Sequence, residues 1–440
     1  MAWIQNGLTT YTFRKVPFLT LEDPNAKIKG SRDPLGVQPI WTAFGRYVVT
    51  NLTTQSTSIR GFTILLLGRY FAADLLDRGM STKEDALDIF LRMEQVGAYV
   101  RHVAHGVQGE IRGIERVQRF VDEQHGNVVI AADSRGMILS DQKVYGLWGL
   151  YSVPARTSGL IPDGAFDVIP SAREFIERHY ISRLNGSAGK LRKLLTEGGR
   201  LRTNDRDPIF AALTPILDPR FSSDELEFYG SYLRDGHNVP GAAAGRQELF
   251  RKLLESDAKL EELTGRREIL HLAKRARLQD EGLSVSLDRI ALLEAFLAPA
   301  SVLFQHLLTR HGQQVTNVAE EIRRIWGSRV PNLDKVAFEE LLSEIKSNST
   351  EAIGSCMWQV HAALQAGDFE TAIDGLLCWN EVVTQMRGSA PWARIGAGRR
   401  LDVRYRGSER LLPEKDELPY LWMNSYFIDA LKKVTQQLKR

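Results

Sequence analysis

The chain has 440 residues, 43% hydrophobic and 25% charged, which gives enough apolar material for two or three cored domains and excludes disorder on a large scale. Its 57 Lys and Arg stand against 54 Asp and Glu, a formal charge of +3; that excludes a polycation, so any nucleic-acid contact must come from a local patch. The two cysteines, Cys356 and Cys378, have no metal-type spacing and no secretory leader precedes them, so the expectation is a reducing cytoplasm and no structural disulfide.

In chain order, the first forty residues carry Pro17, Pro24, Pro34 and Pro39 and read as an irregular arm, with a turn at "RDPLG". From Ile40 to Leu76 the apolar spacing predicts two helices around "TNLTTQSTS". The most apolar window, "GFTILLLGRYFAADLL", is interrupted by Arg69 and Asp74 and is too short to span a bilayer, so it reads as a buried helix. Ser81 and Glu84 have capping-box spacing at the head of the next helix. "EIRGIERVQRFVDEQ" is amphipathic, and "GNVVIAADSRGMILSDQK" reads equally as two short strands or as a loop.

The stretch "YGLWGLYSVPARTSGLIPDGAFDVIPSAREFIERHY" has the order of a winged helix: a packing helix over 144–153, a short second helix in "PARTSGLI", a small hairpin, and a closing helix starting at Pro170 or Ser171. That places Arg156, Thr157 and Ser158 on a recognition element and Asp163 and Gly164 at a wing tip. Beyond Tyr180 the chain reads as helix after helix. "ALQAGDFETAIDGLLCWNEVV" forms a helical hairpin turning at Gly367 and Asp368, with no repeat period to make a solenoid. In "PWARIGAGRRLDVRYRGSERLLP" the alternation of Leu401, Val403 and Tyr405 with Asp402, Arg404 and Arg406 predicts a half-buried strand, followed by a last helix. The expected fold is mainly α: multi-helical, with a winged-helix-like module and a C-terminal β-hairpin. The expected segments are an arm and helical region at 1–125, the winged-helix-like module at 126–182, and a large helical domain at 183–440 with a basic hairpin at 391–412.

Between Arg387 and Arg410 seven arginines face only Asp402 and Glu409. Guanidinium forks suit phosphate oxygens, and Trp392 and Tyr405 are placed to cover a base or sugar. The candidate nucleic-acid-binding residues are therefore Arg156, Arg394, Arg399, Arg400, Arg404 and Arg406, set against the plainer reading of a solvated hairpin paired with acidic helices. Asp133, Asp141 and Lys143 loosely follow the order of a Mg²⁺-dependent nuclease core, but a turn with ordinary solvated charges is the stronger reading. His102, His105 and His125 lack a metal-site spacing, and neither a P-loop nor a nucleophile elbow occurs. No catalytic residue, metal or cofactor is expected.

The segments "DPLGVQPIWTAFGRYVV", "GLWGLYSVPARTSGLI" and "APWARI…LPYLWMNSYFIDAL" resemble a loosely defined group of bacterial proteins encoded beside helicases, ATPases or nucleases in antiphage and antiplasmid defence islands. The resemblance implies a setting, a multi-protein defence operon, and carries no functional residues with it. The expectation is a non-catalytic subunit that contacts DNA and docks an enzymatic partner; a pure helical scaffold and a metal-dependent nuclease are the alternatives.

Overall fold

A computed structural model describes residues 33–164, 166–239, 245–256, 265–327, 335–344, 348–405 and 412–439. Helices α1 (Gln38–Gly45), α2 (Ile59–Asp77), α3 (Ala86–His105) and α4 (Ile114–Glu123) lead to strand β1 (Asn127–Ile130). Helices α5 (Gln142–Tyr145), α6 (Leu147–Thr157), α7 (Pro170–His179) and α8 (Ala188–Glu197) precede strand β2 (Gly199–Arg202). There follow α9 (Pro208–Leu213), α10 (Ser223–Tyr229), α11 (Arg246–Glu255), α12 (Arg266–Ala276), α13 (Glu281–Leu307), α14 (Val315–Trp326), α15 (Lys335–Ser343), α16 (Asn348–Ala366) and α17 (Phe369–Met386). Strands β3 (Ala393–Ile395) and β4 (Leu401–Val403) and helix α18 (Ile428–Gln437) close the chain. The protein is thus mainly helical, with two small antiparallel ribbons among the described residues.

The described residues fall into two compact units, each drawn from those described within alternating stretches of the sequence. One draws on 44–263, 271–287 and 425–440, the other on 1–43, 264–270 and 288–424. In the first, α2 is buried along nearly its whole length against α3, α6 and α7. Gly97 lets α3 approach closely, since a Cβ there would lie 2.6 Å from Ile64. Arg60 crosses this core to meet Glu225 at 2.5 Å, and Glu225 also accepts from Tyr180 at 2.9 Å. Two buried charges are tolerated there because Arg60 also donates to the carbonyls of Asp218 and Arg220, both at 2.7 Å.

In the second unit, α16 and α17 form the expected hairpin. Gly367 takes a left-handed φ of 70°, and Asp368 caps α17 by accepting from Thr371 N at 3.1 Å. Helix α14 and strand β3 pack on α17. The turn at Asp33–Gly36 forms as its sequence predicts, with Gly36 at a φ of 65°. Helix α13 is long and apolar enough to cross a membrane by composition, but 83% of its most apolar stretch is buried inside protein.

Two local expectations are corrected. The Ser81–Glu84 capping box does not form: α3 starts at Ala86, and Asp85 instead accepts from Thr82 N and Oγ1, both at 2.8 Å. A complete box occurs at Ser222 and Glu225, ahead of α10. Pro154 does not divide the 147–157 segment either, so α6 is one helix through it. No strand forms among the described residues of 158–169, and one backbone bond from Ile169 N to Leu160 O closes the loop. "GNVVI" does become a strand, β1, but its partner is β2, some seventy residues on.

Candidate nucleic-acid interface

The C-terminal ribbon is short because its register is fixed by three pairs, Ala393 with Val403, Arg394 with Asp402, and Ile395 with Leu401. Leu401 and Val403 are buried and Asp402 is half-exposed, as their spacing predicts, but the strand ends at Val403 and Tyr405, expected on the same inward face, is exposed. The arginines, however, are engaged within the protein. Arg394 Nε donates to Asp402 at 2.9 Å across the strands. Arg399, at the turn with a positive φ of 52°, donates to both oxygens of Asp374 on α17 at 3.1 Å and lies 3.7 Å from Glu370. Arg400 donates to the Gly312 carbonyl at 2.8 Å, and Arg404, half-buried, is fixed through its backbone to the Trp392 carbonyl at 2.8 Å. Arg406 lies outside the described residues. Trp392 and Tyr405 cover each other, with ring centroids 4.1 Å apart, and Trp392 is only 5% exposed, so its face is not open to a base.

Arg156, the candidate from the earlier module, sits at the end of α6 and pairs with Asp163 at 2.9 Å, joining the expected recognition element to the expected wing tip. Beneath it, buried Arg69 stacks over Trp148 at 4.7 Å; burial first, and then the nearby Arg156 charge, bring its pKa down to about 10.

The two carboxylates of the nuclease trio are engaged locally. Asp133 is clamped by Arg135 through both oxygens, which holds its pKa down at about 2. Asp141 caps α5 by accepting from Val144 N at 3.0 Å. His105 is bonded to the Thr214 carbonyl at 2.8 Å. Among the described residues no three His, Cys, Asp or Glu side chains cluster as a metal site.

A second basic surface was not singled out by sequence reasoning. From Arg183 to Arg206 the chain carries seven Lys or Arg against Glu197 and Asp205, the same balance as the C-terminal hairpin. It folds as the end of a helix–turn–helix order: α7, a 3₁₀ turn over Ile181–Leu184, left-handed Asn185 and Gly186, then α8 and β2. Leu191, Leu194 and Leu195 bury one side of α8 against α3 and α9, which turns Lys190 and Lys193 outward three residues apart on one face. Arg92 donates to the Leu195 and Thr196 carbonyls at 2.8 and 2.9 Å, satisfying the C-terminal end of α8. In β2, Leu201 points inward while Arg200 and Arg202 share the exposed face. Arg206 is exposed in the loop that follows.

Within this stretch Arg192 is tied to Asp74 at 2.7 Å, Lys193 lies 3.9 Å from Glu197, and Arg200 donates to the Asn127 carbonyl at 2.8 Å. The side chains of Arg183, Lys190, Arg202 and Arg206 have no ion-pair partner among the described residues. The groove beside the ribbon is different: Arg92, Arg135 and Arg200 there face Asp88, Asp133 and Glu197, so it is electrically balanced. The available signal in the sequence was a Lys/Arg run at helical and then strand spacing, immediately after a turn rich in Asn, Gly and Ser.

No protein-family model, curated protein or solved structure matches the chain.

Proposed function

We propose that this protein is a non-catalytic, cytoplasmic subunit of a bacterial defence or DNA-transaction complex, which contacts DNA and docks an enzymatic partner. The observation that carries the reading is four exposed cations with no ion-pair partner among the described residues: Arg183 just before α8, Lys190 on α8, Arg202 on β2 and Arg206 in the following loop. Lysine and arginine without an ion-pair partner keep their charge for solvent or a polyanion, whereas Arg394 and Arg399 of the hairpin are compensated by carboxylates where they stand. In this reading the helix–turn–helix lies further along the chain than in the expected 126–182 module: α7 and α8 form it with α8 as the recognition helix, and β2, paired with the distant β1, is the wing. Support for the docking half comes from exposed apolar side chains on α5 and α6, where Val144, Tyr145 and Val153 are 49%, 58% and 53% exposed.

The test is binding of the full chain to a fluorescent duplex across a salt series, compared with the variant R183E/K190E/R202E/R206E. About four phosphate contacts predict a log–log salt slope near −3.6 for the parent. The variant is expected to bind roughly 100-fold more weakly at low salt with a shallower slope. Overlaid curves would remove the DNA contact and leave the scaffold reading, which co-purification with a partner would then carry.

A further inference from the structure

Cys356 and Cys378 lie on α16 and α17, the two arms of one antiparallel hairpin. The arms come unusually close because α17 has a glycine at the contact: a Cβ built on Gly375 would be 3.0 Å from a Val360 methyl and 3.8 Å from the Val360 backbone. One turn from that contact, four residues back along α16 and three forward along α17, stand the two cysteines. Antiparallel arms keep such steps in register, which sets the two cysteines on facing turns of the hairpin, next to the Gly375–Val360 contact. Cys356 is half-buried and Cys378 exposed.

We propose that Cys356 and Cys378 form an oxidisable dithiol site that a hydroperoxide converts to an intramolecular disulfide joining α16 to α17. The exposed Cys378 thiolate attacks the peroxide O–O bond, becoming a sulfenic acid as water or an alcohol leaves. The Cys356 sulfur then attacks the sulfenic sulfur, forming the S–S bond and releasing water; two thiols are oxidised and one peroxide is reduced. Burial, and then the neighbouring thiol, raise the Cys356 pKa, which suits it to the resolving rather than the attacking role. Asp374, one turn before Cys378, also holds Arg399, so the bond forms next to the anchor of the C-terminal ribbon.

The experiment treats the reduced full chain with hydrogen peroxide, counts free thiols, and maps cross-links by peptide mass spectrometry without reductant. The expected result is loss of both thiols per chain, a Cys356–Cys378 linked peptide, a monomeric band on a non-reducing gel, and reversal by dithiothreitol. In Cys356→Ser the sulfenic acid at Cys378 persists and is trapped by a dimedone probe. In Cys378→Ser labelling at Cys356 is several-fold slower than at Cys378 in the first variant. Retention of both thiols, disulfide-linked dimers through Cys378, or over-oxidation of Cys378 with Cys356 still reduced would each overturn the proposal.

Discussion

The C-terminal hairpin and the α8–β2 segment carry the same formal charge in stretches of equal length, seven basic residues against two acidic ones, yet the fold treats them in opposite ways. At the hairpin, strand pairing sets Arg394 opposite Asp402, and packing of β3 on α17 brings Arg399 to Asp374 and Glu370. Of the cations at α8–β2, Asp74 and Glu197 meet only Arg192 and Lys193, and Asp207 is committed to the backbone of Arg202, Ile209 and Phe210. Local charge in a sequence is therefore an upper bound on the charge a surface presents. What decides the remainder is which carboxylates the tertiary contacts bring alongside.

The contrast can be pushed to its limit at Arg60 and Glu225, a pair buried to a few per cent exposure. Glu225→Ala leaves a buried guanidinium without its carboxylate and is expected to cost about 3–5 kcal/mol, measured by urea unfolding. A loss under about 1 kcal/mol would show that the pair is reached by water.

A pH form of the same contrast comes next in size. Glu94 is fully buried, accepting from Leu147 N at 2.7 Å and Gln142 Nε2 at 2.9 Å, and burial raises its pKa to about 7 against the pull of those donors. The native state therefore holds this proton where the unfolded chain has lost it. Its contribution is complete below about pH 4.5 and disappears as pH rises through about 7, on the order of 3 kcal/mol in all. Glu94→Gln is expected to flatten that fall in a stability–pH series. His361 runs the other way: burial beside Phe296 lowers its pKa to about 4, so its contribution is present above pH 6.5 and is lost as pH falls toward 4.

The two basic segments themselves are compared by parallel variants in duplex binding. R183E/K190E/R202E/R206E should weaken binding by roughly two orders of magnitude, about 2.7 kcal/mol, while R394A/R399A/R400A/R404A should change it less than about threefold. Equal losses would mean that phosphate exchanges freely with the internal carboxylates of the hairpin. The smallest effects are on stability: Arg399→Ala should cost at most about 1 kcal/mol as a half-exposed pair, and Lys190→Ala should stay within about 0.5 kcal/mol because nothing is lost with it. Thermal unfolding of the two variants side by side resolves the difference.

Sequence periodicity alone determined most of the helices. The buried α2, the start of α7 at Pro170 and the turn at Gly367–Asp368 follow from apolar spacing, a proline preset for the first turn, and a glycine free to take positive φ. Leu401 and Val403 likewise face inward as their two-residue period requires. Tertiary structure decided the rest, because it depends on partners far away in the chain. "GNVVI" had no local signal to choose strand over loop until β2 supplied its hydrogen bonds, Ser81 lost its cap when Asp85 took Thr82 instead, and the two equally basic segments could not be told apart until Asp374 and Glu370 arrived beside one and not the other. Helical and strand periods are written residue by residue, whereas charge compensation and strand pairing are properties of pairs that only folding brings together.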